Sequence, residues 1–438
     1  MGSDRKADRW VSRSETLSES SQSYESGSES DASSSEEKKH KHHHHKHHKH
    51  HKHHKEGSER KKPSKTHKRG HRSHNHKNRH LSPLPTPCDD RDNHLILHPN
   101  DFIGRNYKVV RVMGEGQFSR VAECIDVRNG KTVAVKVIRA IRRYLESADI
   151  EIEIFETVVR HDPDDRSLVI RYHESFDFKG HVCLVFDLCC ISLYDFMKKN
   201  RFIPFPMAHI QSIAKQLLHA VSYIHSIRLI HTDLKPENIM FTTPGTETVA
   251  LSARSCAIPD GLPFTTTRVI KNPDIRLIDL GNGVWNNHPH NSIIGTRHYR
   301  PPEVLLGLDW DESSDIFAVG CILVELCTGS VLFQTHHNRE HLAMMERALG
   351  PLPQSLIAHL PSHTAKYFDR AGRVVFPEPG SHDTTRYVDE MQSLDELIPP
   401  ERFRTFNNLL HYLLAYIPRE RPSAAQALTH RFFGESFV

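Results

Sequence analysis

The sequence predicts an α+β protein whose strands come first and whose helices follow, with a cleft between the two parts, behind a disordered tail. Three observations carry that expectation. β-Branched runs separated by glycine turns crowd residues 107–138, apolar residues recur at helical spacing from Ile210 onward, and the first hundred residues hold almost nothing apolar. Strands grouped ahead of helices argue for segregated layers rather than alternating βαβ units.

The tail comes first. From Ser12 to Glu37 the chain is mainly Ser with Glu and Asp, from Lys38 to Lys55 almost wholly His and Lys, and from Arg60 to Arg79 it adds more Lys, Arg and His. Such stretches cannot bury enough apolar surface to offset the entropy of ordering, so residues 1–98 are expected to be disordered. Pro83, Pro85 and Pro87 mark a stiff boundary, and apolar residues reach globular density from Leu95. The net charge of +4 is unevenly spread: 21 basic against 14 acidic residues in the first hundred, and 37 against 40 in the rest. At 438 residues the chain exceeds one ordinary domain of about 100–200 residues; with the tail set aside and no repeat visible, residues 99–438 form one large domain or two lobes. Eight cysteines without a C-x-x-C pair argue against a disulfide scaffold or structural zinc site. A polar, acidic N-terminus and the lack of an apolar run near the roughly 18 residues of a membrane span point to a soluble intracellular protein.

Within the folded part, Tyr107–Met113, Val121–Val127 and Thr132–Ile138 read as strands, broken at Gly114-Glu115-Gly116 and at Asn129-Gly130, a strong hairpin turn. Ile210, Ile213, Leu217, Val221 and Ile224 share one helix face, and a second apolar helix is expected over Asp315–Thr328. Between Phe241 and Arg276 lies a long Thr-, Ser- and Pro-rich connection, either a substrate or partner hairpin or a tolerated surface insertion.

The chemistry sits at three separated stretches. Gly114-Glu115-Gly116-Gln117-Phe118-Ser119-Arg120-Val121 joins two strands, where a dinucleotide fingerprint would open a helix, so its glycines are placed to cover phosphates from above. The next strand carries Val133-Ala134-Val135-Lys136, a lysine whose charge needs an anionic partner. His231-Thr232-Asp233-Leu234-Lys235-Pro236-Glu237-Asn238 supplies, within six residues, a carboxylate to accept a hydroxyl proton, a cation for a phosphate and an oxygen ligand for magnesium. Asp279-Leu280-Gly281 supplies a second hard oxygen ligand at a strand end.

In this order the stretches resemble the eukaryotic protein kinases over residues 107–433. Glu340-His341-Leu342-Ala343-Met344-Met345-Glu346-Arg347 is the signature of the LAMMER, or CDC-like, group, matched also by His231-Thr232-Asp233 and Thr296-Arg297-His298-Tyr299-Arg300. The resemblance implies a bilobal protein kinase fold, with a small β-rich N-lobe over 107–187, a large helical C-lobe over 188–433 and an insertion over 241–276. It implies ATP and Mg2+ as cofactors. The loop Gly114, Glu115, Gly116, Gln117 and Phe118 would cover the phosphates, and Val121 and Ala134 would sandwich the adenine. Lys136 would hold the α/β-phosphates, paired with Glu151, or with Glu153 nearby. Phe186 would be the gatekeeper, Asp187 and Leu188 the hinge, and Asp195 a ribose contact. Asp233 would be the base, Lys235 would steady the γ-phosphate, Thr296 would bridge these two, and Asn238 with Asp279 would hold magnesium. Glu303 with Arg421 would brace the large lobe, and Asp315 would anchor the catalytic loop. The signature itself reads as a surface helix with Leu342, Met345 and Leu349 facing the core.

Departures from the family pattern also carry information. Ser119 replaces the third loop glycine, Leu280 the usual Phe, and Pro301 an Ala. Thr232 stands where many kinases place an arginine that grips a phosphorylated activation segment, and a neutral threonine cannot form that contact. The dual-specificity tyrosine-regulated kinases are the nearest rival, but their Tyr-x-Tyr is absent between Asp279 and Glu303. The resemblance implies a Ser/Thr kinase, with tyrosine autophosphorylation, acting on Ser/Arg-rich splicing factors; the alternative class is a pseudokinase or scaffold, which would ordinarily lack one of the lysine, base or metal-binding positions. The tract His40–His54 holds eleven histidines among lysines, of which roughly a quarter would be charged at pH 7. It reads either as a solvated spacer with incidental metal affinity or as a nuclear-import and retention element capable of weak RNA association. The expected protein is a nuclear monomer without a membrane anchor.

Overall fold

Alternation of buried and solvated residues builds the first part of the domain. The computed structural model describes residues 88–251, 266–288, 291–358, 360–378 and 385–437. Strands β1 (Phe102–Ile103), β2 (Tyr107–Glu115), β3 (Ser119–Asp126), β4 (Thr132–Ile138), β5 (Tyr172–Phe178) and β6 (His181–Asp187) form an antiparallel sheet in the order β1-β2-β3-β4-β6-β5. One face buries Val109, Ala122, Cys124, Val135, Val137, Cys183 and Val185. The strands run beyond the expected limits at the glycine-rich turn, where Gly114 pairs with Val121 and Glu115 with Arg120, and register shifts near Val112 bend β2 over the cleft.

Helix α1 (Arg142–His161) packs on this sheet. Its buried stripe of Tyr144, Leu145, Ala148, Glu151, Ile152, Phe155 and Val158 includes one carboxylate. Two residues on a helix are about 200° apart, so Glu153 turns away, and it is exposed.

The second part is mainly helical. After β7 (Ile191–Ser192) and α2 (Leu193–Lys199) comes α3 (Met207–Ser226), whose predicted stripe of Ile210, Ile213, Leu217, Val221 and Ile224 is wholly buried. Short strands β8 (Leu229–Ile230) and β9 (Ile239–Phe241) follow. The insertion contributes a hairpin of β10 (Thr246–Ala250) with β11 (Thr266–Ile270), seated on α2 through Asn200, whose amide donates to Thr267 Oγ1 at 2.8 Å. Residues 252–265 lie outside the described residues. β12 (Ile275–Leu277) pairs with β9 and β13 (Val284–Trp285) with β8, bringing the two catalytic stretches side by side. Helices α4 (Pro302–Leu306), α5 (Ser313–Thr328), α6 (Asn338–Leu349) and α7 (Pro400–Leu413) complete the core. No helix of the described residues is long and apolar enough to cross a membrane.

Two expectations need correction. Residues 88–98 are not part of the tail: Leu95 is buried, Asp89 bridges to it, and the Asp89 carboxylate meets buried His181 at 2.9 Å. Polar residues before Leu95 hid this, because their partners lie far along the chain. The signature helix α6 faces the core with Leu342, Met345 and Leu349 as expected but is not a surface helix: Glu340, His341, Ala343 and Met344 are buried as well, and Arg347 is its one exposed residue. The expected tail features over residues 1–87, including the histidine tract, lie outside the described residues.

Candidate active site

A cleft of about 800 Å³ opens between the sheet and the helical part. Its roof is the β2–β3 turn with Gly114, Glu115, Gly116, Gln117 and Phe118, and its walls include Val121, Ala134, Phe186, Asp187, Leu188 and Asp195. Each predicted nucleotide-contact residue therefore lines this one cavity. Phe186 is nearly buried and meets Phe155 edge-on at 4.9 Å, closing the inner end.

At the back of the cleft, Lys136 Nζ donates to Glu151 Oε1 at 2.7 Å and to Asp279 Oδ1 at 3.2 Å. Burial by itself lowers the ammonium's pKa, but the two carboxylates outweigh it and raise the pKa above its ordinary value. The Lys136 charge holds Asp279 below the usual carboxylate range, whereas burial pushes Glu151 up. Asp279 is thus the firmer anion. It stands in the left-handed region at φ 61°, which Asp tolerates better than most residues, where the chain leaves β12 for its next turn.

The loop after β8 is built around Asp315 of α5. Its Oδ2 accepts the His231 N–H at 2.8 Å and its Oδ1 the Thr232 N–H at 2.9 Å. Thr232 adopts φ 68°, an outlier for a β-branched residue, and its hydroxyl donates to the Asn282 carbonyl at 2.9 Å. Across from it Gly295 also has positive φ, and a Cβ there would sit 2.8 Å from the Thr232 carbonyl, so only glycine lets the segment approach.

Asp233 is thereby presented to the cleft with both oxygens occupied. Oδ1 accepts from Thr296 N–H at 2.8 Å and from Thr296 Oγ1 at 2.7 Å, while Oδ2 accepts from Lys235 Nζ at 2.8 Å. Lys235 also donates to Thr296 Oγ1 at 3.0 Å, closing a three-residue ring. Burial raises the Asp233 pKa, but the Lys235 charge and these hydrogen bonds prevail and hold it below its ordinary value. Asn238 spends its amide nitrogen on the Asp233 carbonyl at 2.9 Å, which leaves its oxygen as a hard ligand.

Residues the sequence reading passed over also line the cleft. Ile170, Met240 and Ile278 were indistinguishable from core positions on apolar strands. Glu237 lines it too, with Oε2 sequestered and without a hydrogen-bond partner; its place between Lys235 and Asn238 was the available signal. Glu325, buried on α5, accepts from Tyr299 Oη at 2.7 Å, and burial pushes its carboxyl up to about 8.

The chain resembles known proteins over this whole region. A family described as protein kinase domain matches residues 107–433. Serine/threonine-protein kinase AFC3 of Arabidopsis thaliana is 42% identical over 362 residues, spanning 82% of this chain and 89% of that protein. Dual specificity protein kinase CLK2 of Homo sapiens is 39% identical over 350 residues, 79% of this chain and 67% of the relative. A crystal structure of a kinase domain superposes with a TM-score of 0.72 at 34% identity, covering 78% of this chain and 100% of the other.

Proposed function

Because the chain belongs to the LAMMER, or CDC-like, protein kinases, we propose that it transfers the γ-phosphate of ATP to serines flanked by arginine, as in Ser/Arg-rich splicing factors. The enzyme class follows from the family. Asp233 accepts the proton of the substrate hydroxyl, and Thr296 and Lys235 hold that carboxylate in one orientation. Lys136, fixed by Glu151, meets the α/β-phosphates. Asp279 and the Asn238 oxygen make a donor set suited to Mg2+, which when bound would neutralise phosphate charge.

The observation that carries the substrate assignment is Glu237. A sequestered carboxyl oxygen without a donor is costly, and burial raises the Glu237 pKa above its ordinary value. A substrate guanidinium would supply the missing donor and a compensating charge. Wild-type enzyme is expected to phosphorylate an Arg-Ser repeat peptide and to neglect an acidic control. Glu237→Gln should raise KM for the Arg-Ser peptide about tenfold, equivalent to one lost charge-assisted hydrogen bond, with the ATP KM unchanged. Equal peptide KM values for the two enzymes would remove Glu237 from the assignment.

The activation segment is held by hydrogen bonds that involve no phosphate. Besides Thr232 on Asn282, Asn286 donates to Glu312 at 2.7 Å, and Arg300 Nε donates to the Ile294 and Gly295 carbonyls at 3.0 and 2.9 Å. Phosphatase treatment is therefore expected to leave peptide turnover within about twofold; a tenfold loss recovered on rephosphorylation would show that a phosphate does the holding.

A further inference from the structure

The chain immediately before the sheet is tethered to the glycine-rich turn. Residues 89–95 form a tight loop in which Asp90 Oδ1 accepts the N–H groups of Asp92 and His94 at 3.0 and 2.9 Å. Its anchor is the Asp89–His181 pair, where both side chains are buried and His181 Nδ1 also meets the Ile138 carbonyl at 2.7 Å. The loop is therefore fixed to β4 and β6.

Two arginines extend from this anchor to the roof of the cleft. Arg120 of β3 donates through Nη2 to Asp90 Oδ2 at 2.9 Å, through Nη1 to the Leu95 carbonyl at 2.6 Å, and through Nε to Glu115 Oε2 at 2.9 Å. One guanidinium thus joins the loop to the glycine-rich turn. Arg139, just beyond β4, donates through Nε to the Asp92 carbonyl and through Nη1 to the Gln117 carbonyl, both at 2.7 Å. Its own N–H meets the Phe118 carbonyl at 3.0 Å. Packing holds the turn at one point, where the half-exposed Phe118 ring meets Tyr144 of α1 edge-on at 5.1 Å; at its start a Cβ on Gly114 would meet nothing within 4 Å.

We propose that Asp90, Arg120 and Arg139 are positioning residues that set the glycine-rich turn at phosphate-binding height and so raise the affinity for ATP. None of the three lines the cleft. A turn rich in glycine loses conformational freedom when it closes over phosphates, and tethers made beforehand reduce that loss. The inference rests on the reading that the cleft holds ATP.

The test uses the full chain with Asp90→Asn and Arg139→Met, which remove a charge and two backbone contacts respectively from partly exposed positions. Three quantities are measured: binding of a fluorescent ATP analogue, KM for ATP against KM for peptide, and melting temperature. Each variant should weaken analogue binding and raise the ATP KM about three- to tenfold, with the peptide KM and melting temperature unchanged. Asp90→Asn combined with Glu115→Gln should cost less than the two separate losses combined, because Arg120 is shared. Unchanged nucleotide affinity in both variants would overturn the proposal, as would full additivity or a loss that falls equally on peptide and melting temperature. Failure of the underlying reading would look different, since the wild type itself would then bind no analogue.

Discussion

Asp233→Asn is expected to lower turnover of an Arg-Ser peptide by about 10²- to 10⁴-fold, the usual contribution of a positioned general base, with ATP affinity kept within about twofold. The carboxylate accepts three hydrogen bonds, two from Thr296 and one from Lys235. An asparagine of the same shape has one accepting end. If its oxygen faces the Thr296 N–H, its amide hydrogens face the Lys235 ammonium; if it turns over, they face the Thr296 donors. Either arrangement breaks the ring and leaves no group able to take the hydroxyl proton. Lys136 and the β2–β3 turn, the proposed holders of the nucleotide besides Lys235, lie outside this ring, so binding of an ATP analogue separates lost chemistry from lost structure. Retention of more than about a tenth of wild-type turnover would mean that positioning and charge neutralisation carry the reaction without this base.

How much of this site could be read from the sequence depended on the range of the interaction. Asp233, Lys235 and Asn238 are legible together because one short loop presents them, and Lys136 is legible because a cation ending an apolar strand demands a partner. The identity of that partner required helix phase: Glu151 and Glu153 differ by about 200° around α1, and only the packing of Phe155 and Ile152 against the sheet and core selects Glu151. Residues 88–98 were misassigned because their order rests on Asp89 meeting His181 and Arg120 reaching Asp90, contacts 92 and 30 residues apart in sequence. Composition records what a segment can bury by itself and is blind to polar partners that arrive from elsewhere. The signature helix failed for the opposite reason. Glu340 and His341 look like solvent residues, but Glu340 is buried while accepting from Thr335 Oγ1 at 3.0 Å and from the His336 N–H at 2.6 Å, and the buried His341 ring lies 4.9 Å from Phe333. Glu237 belongs between these cases: its position was plain, and only its unmet oxygen distinguishes it from a solvated glutamate.

Arg421→Met should destabilise the folded domain by about 3–5 kcal/mol, the range for breaking a buried ion pair from one side, and lower its melting temperature by roughly 10 °C. The Arg421 side chain is fully enclosed and faces Glu303 through two parallel hydrogen bonds of 2.7 Å. Its other three N–H groups donate to the carbonyls of Ala415, Ser313 and Tyr416 at 2.7, 3.1 and 3.1 Å, so all five donors are used, and the guanidinium lies 5.0 Å from the Phe317 ring centre. Methionine fills much of the volume but leaves Glu303 buried without a counter-charge. Lysine preserves the charge and cannot reproduce a planar fork, so Arg421→Lys should recover only part of the loss. The double variant Arg421→Met with Glu303→Gln removes the stranded charge and should melt above Arg421→Met alone, a non-additivity expected of direct partners. Because the Ser313 carbonyl held by Arg421 begins α5, and Asp315 of that helix fixes the backbone of His231 and Thr232, loosening the pair should also make the catalytic loop exchange its amides faster. Hydrogen exchange and thermal melting together check the argument. If the double variant melts no higher than Arg421→Met, the loss comes from packing around Phe317 and not from an unpaired buried carboxylate.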